Sequence, residues 1–274
     1  MAPAPASPTS RAGWGAVIQF GAYVFLLSLL FSVVVTPWVP LPWWRVFRRC
    51  VSVSAVISLM VCAWRRGRAV HSYGLTELAV GGRHLLIGAS LGLAACASVV
   101  AVGFLSQAYQ VEIIPDHVRL WRVIVTFVPL AVLIGVVEEL VFRGFILQHL
   151  LAHSTKIAVA ASSVLYSAVH LKTLTWSVSS GLELAGLALL GAVLAMSYLQ
   201  TGQLYLAIGL HAALAYGARV GKLTIAFPEA PQAWLFGTSR VINGVVSWGV
   251  LMGVGALILL WSRMGRSANG GMHG

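Results

Sequence analysis

Apolar runs dominate the chain, and short polar stretches separate them. A helix needs about 20 apolar residues to cross the hydrocarbon core of a bilayer. The runs cover residues 14–36, 46–64, 83–106, 120–151, 155–171, 182–200, 203–217 and 241–262. This pattern predicts about eight helices. The fourth run is too long for a simple span and the fifth and seventh are short, which indicates helices that tilt or end inside the protein.

The stretches between the runs suggest how the chain is organised. We expect a disordered tail (1–13), three transmembrane helices (14–106), a core of four helices (107–220), a loop with the last helix (221–264) and a flexible C-terminal tail (265–274). The sequence TPWVPLPWW follows the first run, and no small-residue cleavage site is present there. The first run is therefore predicted to be an uncleaved span that ends in an aromatic interfacial belt.

Composition supports a membrane protein and argues against a soluble enzyme. The chain is 59% hydrophobic and 9% charged, whereas soluble domains average about 25% charged residues. We therefore predict an all-α, polytopic transmembrane helical bundle. The net charge of +11 comes from basic residues scattered through the loops. That distribution suits anionic lipid head groups better than nucleic acid, and it is too even between the two sides to fix the orientation.

A few polar side chains lie inside the apolar runs. A charge at the centre of a bilayer costs about 2.5–3.5 kcal/mol on insertion scales, so such residues usually face the interior of the bundle. Because they come from several helices, they predict an interior polar cavity. They are Glu138, Glu139, Arg143, His170, Glu183 and His211, with Asn243 near the start of the last run. The cysteines, Cys50, Cys62 and Cys96, are interpreted as small buried hydrophobes.

The stretch VVEELVFRGFILQH carries two adjacent glutamates and an arginine. On a helix, Glu139 and Arg143 are four residues apart and share a face, with the acid in the favourable N-terminal position. Glu138 lies about 100° around the helix from Glu139. We therefore expect Arg143 to neutralise Glu139, while Glu138 points elsewhere and can take part in proton transfer. The alternative is a purely structural network of ion pairs.

Two histidines belong to later apolar runs. Tyr166 and His170 are four residues apart and share a helical face, although a histidine at the end of a span is often only an interfacial group. His211 lies deeper in its run, within GLHAALAY, where small residues allow another helix or a substrate to come close.

Three pieces in this order resemble the CPBP family, the membrane proteins that process CAAX tails and bacteriocins and include glutamic-type intramembrane proteases. The pieces are E-E-x-x-x-R, an aromatic residue four positions before His170, and the Gly-Leu-His-Ala-Ala stretch at His211. The resemblance covers about residues 120–220, so that 107–220 is the expected catalytic core. Tyr73-Gly74-Leu75 is similar to the entry segment of the family.

The resemblance implies a role for each residue. Glu138 matches the catalytic glutamate and His170 its partner in activating water. Glu139 and Arg143 match the pair that orders the site, and His211 matches the histidine that helps to hold the oxyanion. We expect Tyr166 and Tyr216 to contact the substrate, which is a membrane-associated protein or peptide, for example one that carries a C-terminal membrane tail. No cofactor is expected, and the expected location is the bacterial inner membrane.

One position departs from the family pattern. The family usually has Asn four residues after the second histidine, where this chain has Ala215. Loss of one oxyanion donor costs about 2.7–4 kcal/mol of transition-state stabilisation unless another group replaces it; Tyr216, Asn243 and Arg143 are the alternatives. Three other functions stay open: a non-catalytic scaffold or immunity-type protein, a zinc-dependent protease and a proton-coupled transporter. The absence of an internal repeat disfavours the transporter.

Overall fold

The structure is a computed structural model that describes residues 10–75, 78–171, 177–227, 232–237 and 243–270. These residues are almost entirely helical. Helices long and apolar enough to cross a membrane cover Gly13–Trp38, Trp43–Arg65, Gly81–Leu105, His117–Leu150 and Val178–Thr201, and shorter apolar helices cover Thr155–Val169 and Val245–Trp261. The protein is thus an all-α, multi-pass integral membrane protein, and the fold class predicted from the sequence is confirmed.

The helices follow one another with short connections. They are α1 (Ser10–Val35), α2 (Trp43–Arg65), α3 (Leu78–Leu105), α4 (His117–Glu139), α5 (Gln148–Leu150), α6 (Thr155–Val169), α7 (Val178–Thr201), α8 (Tyr205–Thr224), α9 (Ala233–Phe236) and α10 (Val245–Gly270). Strands β1 (Gln110–Val111) and β2 (Ile225–Ala226) pair antiparallel, with Gln110 opposite Ala226. Each of the eight apolar runs corresponds to helical structure. The long fourth run consists of α4, a π-helical segment and α5 in succession.

The ends of the helices differ from the predicted boundaries. Helix α1 begins at Ser10, inside the predicted tail, and Gly13 packs directly against the backbone carbonyl of His149. Helix α10 continues to Gly270, into the segment predicted to be a flexible tail. Helix α8 runs to Thr224, a further two turns beyond its apolar run. The remaining parts of the two predicted tails, residues 1–9 and 271–274, lie outside the described residues.

The chain forms two compact units, residues 1–75 with 137–158, and residues 76–136 with 159–274. In the first unit, α1 packs along α2. Both helices bury serines, among them Ser28, Ser32, Ser54 and Ser58. Ser28 Oγ donates to the carbonyl of Val24 at 2.6 Å within its own helix. Small side chains of this kind let transmembrane helices approach closely.

The first unit also contains a π-helical segment, Leu140–Leu147, that follows α4 directly. Every residue of the segment is buried. Phe145 is its aromatic centre: its ring lies 4.9 Å from that of Phe20 in α1 and 5.8 Å from that of Tyr73. The guanidinium carbon of Arg66 lies 5.5 Å from the same ring. Helix α1 and the end of α2 therefore pack against the segment that begins next to Glu139.

A short 3-10 helix, Val70–Tyr73, ends at the first residue of the segment that resembles the family's entry region. Gly74 adopts a φ of 110°, which favours glycine because a side chain would be strained there. Gln148 Nε2 donates to the carbonyl of Tyr73 at 3.1 Å. Burial raises the pKa of the Tyr73 hydroxyl, and the neighbouring Arg68 and Arg66 oppose that shift. The Tyr73 hydroxyl therefore keeps its proton at neutral pH.

In the second unit, α3 packs along α8 at glycine contacts. Gly88 of α3 lies against the carbonyl of Leu206, and Gly209 of α8 lies against the carbonyl of Leu85. A Cβ atom on either glycine would collide with backbone, which cannot move away as a side chain can. Gly135 of α4 also approaches α8, since a Cβ there would lie 3.1 Å from the carbonyl oxygen of Ile208. Helix α8 is therefore held tightly between its neighbours.

One end of the second unit is closed by aromatic side chains. Tyr109 follows α3 and donates its hydroxyl proton to the carbonyl of Phe236 at 2.6 Å. Its ring packs edge-on against Phe227, with centroids 5.1 Å apart. Burial raises the pKa of Tyr109 to about 12, so the hydroxyl keeps its proton and the hydrogen bond at any physiological pH.

Candidate active site

The two adjacent glutamates have different surroundings, as the helical offset predicts. Glu139 is fully buried, and Arg143 Nη1 donates a hydrogen bond to its Oε1 at 2.9 Å. Arg143 is itself 1% exposed. Glu138, one residue earlier, is only partly buried. The predicted ion pair between Glu139 and Arg143 is therefore present, and Glu138 is the more accessible of the two carboxylates.

The ion pair forms where the helix changes its winding. Glu139 is the last residue of α4, and Arg143 lies inside the π-helical segment. A π-helix bonds each residue to the fifth along the chain instead of the fourth, and such segments often occur at functional sites. The sequence predicted a regular helix here. Sequence periodicity gives no signal for a π-helix here, because six of the eight residues of the segment are apolar and therefore mark no single face.

Tyr166 and His170 are neighbours at the end of α6, as the spacing predicts. Their ring centroids are 4.6 Å apart, and His170 Nδ1 lies 2.7 Å from the carbonyl oxygen of Tyr166. A carbonyl can only accept a hydrogen bond, so Nδ1 is the protonated nitrogen of the ring. In the neutral ring, Nε2 is then the nitrogen that can accept a proton, which is what a general base requires.

His211 lies on α8 and meets the same tyrosine. Its ring stands edge-on to Tyr166 with a centroid distance of 6.0 Å, and the Tyr166 hydroxyl is 3.5 Å from His211 Nε2. Both side chains are buried, with exposed fractions of 1% for Tyr166 and 5% for His211. Tyr166 thus contacts two histidines on two different helices. The contact with His211 was not predicted from the sequence, and the substrate contact expected of Tyr166 stays a prediction.

A cavity of about 620 Å³ opens in the second unit, and all three rings line it. Most of the wall is apolar, with leucines from α7 and α8 and Phe127 and Leu130 from α4. Such a cavity is large enough for a short peptide segment, and its few polar groups are the kind that orient a ligand. The structure therefore brings Tyr166, His170 and His211 together at an accessible space.

Several polar residues of this cavity were not predicted from the sequence. Ser247 on α10 is buried and lines the cavity. The partly buried Arg219 and the exposed Lys222, near the end of α8, line it too. Their signal was present in the helical spacing, because His211, Ala215, Arg219 and Lys222 recur on one face of α8. The apolar run ends at residue 217, so hydropathy alone assigns the last turns of α8 to a loop.

The remaining predicted residues have different surroundings. Tyr216 Oη donates to the carbonyl of Ile124 at 3.2 Å, and thus joins α8 to α4. Ala215 lines the cavity one turn after His211. Asn243 is buried two residues before α10, and Glu183 lies with His170 in a smaller cavity of about 170 Å³. The substrate contact expected of Tyr216 stays a prediction.

Metal binding was the main alternative to a carboxylate mechanism. Within the described part of the chain, no three His, Cys, Asp or Glu side chains are grouped so that they could hold a metal ion. The glutamates belong to the first unit and the three rings to the second. The water predicted to be shared by Glu138 and His170 stays a prediction.

Comparison with known proteins supports the resemblance. No curated protein is significantly similar to the chain. Residues 120–216, however, match the model of a family described as Rce1-like, Type II CAAX prenyl endopeptidase. The matched range contains every motif residue from Glu138 to Tyr216, together with the tyrosine and both histidines of the cavity. The predicted resemblance to the CPBP family is therefore confirmed over residues 120–216, which match the Rce1-like family model.

Proposed function

We propose that the protein is an intramembrane endopeptidase that hydrolyses a peptide bond of a membrane-associated protein or peptide. The observation that carries the proposal is the cavity lined by Tyr166, His170 and His211 inside the segment that matches the family. Peptide hydrolysis needs a base, a water molecule and a donor for the oxyanion. The two histidines supply two of these groups at one space that a peptide can enter.

In the proposed reaction, Glu138 and His170 share one water molecule and remove its proton as the oxygen attacks the scissile carbonyl. His170 suits this part because its Nδ1 is occupied by the carbonyl of Tyr166, which leaves Nε2 as the basic nitrogen. The protonated pair then delivers a proton to the leaving amine, so the protons balance over the cycle. His211 donates a hydrogen bond to the oxyanion, where negative charge develops.

Glu139 and Arg143 have a positioning role in this proposal. Their 2.9 Å ion pair is buried at the residue next to Glu138, and it fixes that turn of the helix. No metal or other cofactor is part of the mechanism. We place the protein in the inner membrane of a bacterium, with a substrate such as one that ends in a C-terminal membrane tail. Separation of the two membranes followed by immunoblotting tests the location.

The proposal is tested by comparing membrane proteins from cells that express the wild type, Glu138→Gln or Glu112→Gln. Gln keeps the shape of Glu but cannot take a proton. Glu112 is an exposed carboxylate outside the cavity, so its substitution is the matched control. We expect one or more membrane proteins to end at a new residue in wild-type and Glu112→Gln cells only. Identical termini in all three would overturn the proposal.

One observation favours a second function, a membrane scaffold or immunity-type binder without efficient hydrolysis. The position where the family usually has Asn is Ala215, and it lines the cavity one turn after His211. A protein that has lost an oxyanion donor can retain the cavity and bind a peptide without cleaving it. This function predicts peptide binding that does not depend on the Glu138 carboxylate and no change in any peptide terminus.

A further inference from the structure

Three arginines lie where the ends of membrane-spanning helices meet in the first unit. Arg65 is the last residue of α2, and Arg66 and Arg68 follow it within three residues. The span of α1 begins at Gly13, which packs against the carbonyl of His149, one residue before the span of α4 and α5 ends. The arginines therefore lie at the level where the hydrocarbon of a bilayer gives way to its head groups.

Aromatic rings support two of the three guanidinium groups. The guanidinium carbon of Arg66 lies 5.5 Å from the centre of the Phe145 ring. That of Arg68 lies 4.4 Å from the centre of the Tyr73 ring. The two rings are themselves neighbours, with centroids 5.8 Å apart. A cation–π contact positions a guanidinium without neutralising its charge, so two positive charges are held on adjacent rings.

These charges are not neutralised within the described part of the chain. None of Arg65, Arg66 and Arg68 forms an ion pair with a carboxylate there. Arg66 donates to the carbonyl of Cys62 at 3.3 Å, and Arg68 donates to that of Ser72 at 3.4 Å. Both hydrogen bonds are long and weak. An arginine has five donors in a planar fork that matches phosphate oxygens, so both side chains keep donors for an anion.

The hydroxyl of Tyr73 is a second, independent feature of this cluster. Tyr73 is fully buried, yet its Oη has no hydrogen-bond partner among the described residues. A buried hydroxyl without a partner is costly, and most buried polar groups in proteins have one. Burial raises the pKa of this hydroxyl, and the charges of Arg68 and Arg66 oppose the rise, so both guanidinium groups are near it. The cluster thus combines an unused donor with two cations.

We propose that Arg66, Arg68 and Tyr73 form a binding site for the phosphate of an anionic membrane phospholipid. The two guanidinium groups bind the phosphate oxygens. The hydroxyl of Tyr73 donates to the same phosphate once the exposed Arg68 turns from the ring toward it. The acyl chains lie along the apolar face of α2 next to the arginines, where Trp64 is 80% exposed and Met60, four residues earlier, is 58% exposed.

The apolar surface beside the arginines favours a lipid over a soluble phosphate compound. Both carry the same phosphate group, but only a lipid also covers Trp64 and Met60. The ring that supports Arg66 belongs to Phe145, at the centre of the π-helical segment. A lipid bound there stabilises the folded form of this segment, so it should raise the melting temperature of the protein by mass action. This binding does not depend on the proposed hydrolysis.

Melting curves of the purified protein in a neutral detergent test the inference. One sample contains phosphatidylglycerol in mixed micelles, and a second contains phosphatidylcholine at the same mole fraction. A third contains glycerophosphoglycerol, which is the head group of phosphatidylglycerol without acyl chains. We expect phosphatidylglycerol alone to raise the melting temperature, because phosphatidylcholine has no net charge and the free head group has no apolar part. The dependence of the shift on lipid concentration gives an apparent Kd.

Variants assign the effect to the site. Arg66→Gln should weaken the apparent affinity for phosphatidylglycerol by about 10–100-fold, the effect of hydrogen bonds to a charged group. Arg49→Gln, which removes the same charge near the other end of α2, should weaken it by no more than about fivefold, the contribution of one basic residue at an anionic surface. Tyr73→Phe should raise the melting temperature without lipid, because it removes a hydroxyl without a partner, and should reduce the gain from phosphatidylglycerol.

Three outcomes would overturn the inference. The first is an equal shift, or no shift, with the two lipids. The second is an equal shift with glycerophosphoglycerol, which would assign the site to a soluble phosphate compound. The third is equal weakening by Arg66→Gln and Arg49→Gln, which would mean a general attraction to charged lipid. The comparison of lipids and Tyr73→Phe decide the question even if Arg66→Gln does not fold. Cleavage of a substrate is measured separately, so the proposed function stands or falls on its own.

Discussion

Arg143 Nη1 lies 2.9 Å from Oε1 of Glu139, and both side chains are withdrawn from solvent. Burying two charges is costly, and their mutual attraction compensates only while both are present. The pair therefore makes the turn next to Glu138 dependent on two residues at once. Substitutions of Glu139 or Arg143 should therefore lower the stability of the protein, whereas substitutions of Glu138 should affect the reaction alone.

Removing one member of the pair should destabilise the protein. We expect Arg143→Ala and Glu139→Gln to lower the free energy of unfolding by about 3–5 kcal/mol, because the other charge stays buried without compensation. The double substitution Glu139→Gln with Arg143→Met should cost less than either single change. Thermal unfolding in detergent measures this, with Arg122→Ala as the exposed control. Equal melting temperatures for Arg143→Ala and the wild type would contradict a structural role.

The second prediction concerns the proton-transfer pair. Glu138→Gln and His170→Ala should each abolish hydrolysis and leave the melting temperature close to that of the wild type. Because both residues act on one water molecule, the double variant should be no slower than either single one. Release of a peptide from a tailed substrate by purified protein gives the rates. Additive losses would mean that the two residues act independently.

The third prediction concerns the missing amide donor. Ala215→Asn should raise the turnover number, with an upper limit of about 10²–10³-fold, the effect of one oxyanion donor. Ala215→Leu is the control, since it adds similar volume without a donor and should not increase the rate. A wild-type protein that never cleaves, together with an active Ala215→Asn variant, would favour the scaffold function. No gain from Asn would indicate that another group already holds the oxyanion.

The fourth prediction uses two glycines of α3. Gly88→Ala should destabilise the protein by about 1–3 kcal/mol, because its Cβ collides with the carbonyl of Leu206 and displaces α8. A Cβ atom on Gly82 would have no neighbouring atom within 4 Å. Gly82→Ala should therefore be neutral or stabilising by about 0.5–1 kcal/mol, the gain of Ala over Gly in a helix. Similar melting temperatures for both would disprove the tight contact of α3 with α8.

The fifth prediction concerns metal dependence. EDTA and 1,10-phenanthroline should leave the rate of hydrolysis unchanged, because the proposed mechanism uses a carboxylate and two histidines without a metal. The measurement is the same peptide-release assay before and after dialysis against each chelator. Activity that disappears with chelator and returns with zinc would replace the proposed mechanism with the zinc-dependent one.

Much of the fold could be predicted from the sequence, because apolar runs of this length have few alternatives in a membrane. The ion pair of Glu139 with Arg143 and the contact of Tyr166 with His170 followed from helical spacing alone. Contacts between distant helices could not be derived in this way. The meeting of Tyr166 with His211 depends on how α6 and α8 pack, and periodicity within one helix does not contain that information.

The polar end of the cavity shows a second limit of prediction from the sequence. Arg219 and Lys222 lie on α8, but hydropathy alone assigns charged residues beyond an apolar run to a loop. The helix continues past residue 217 to Thr224 with Gly221 and Leu223 buried, and β2 begins at Ile225. Charged residues that line the end of the cavity are thus assigned to a loop when hydropathy alone is used.

The π-helical segment limits how far the chain could be shortened without changing its structure. An isolated apolar segment favours the α-helix, so the wider winding of Leu140–Leu147 depends on its packing partners. Those partners include Phe20, Arg66 and Tyr73 around Phe145, and all three precede residue 120, where the family match begins. A fragment reduced to residues 120–216 would contain every residue from Glu138 to Tyr216 that matches the family pattern, yet it would lose the neighbours of the π-helical segment that follows both glutamates.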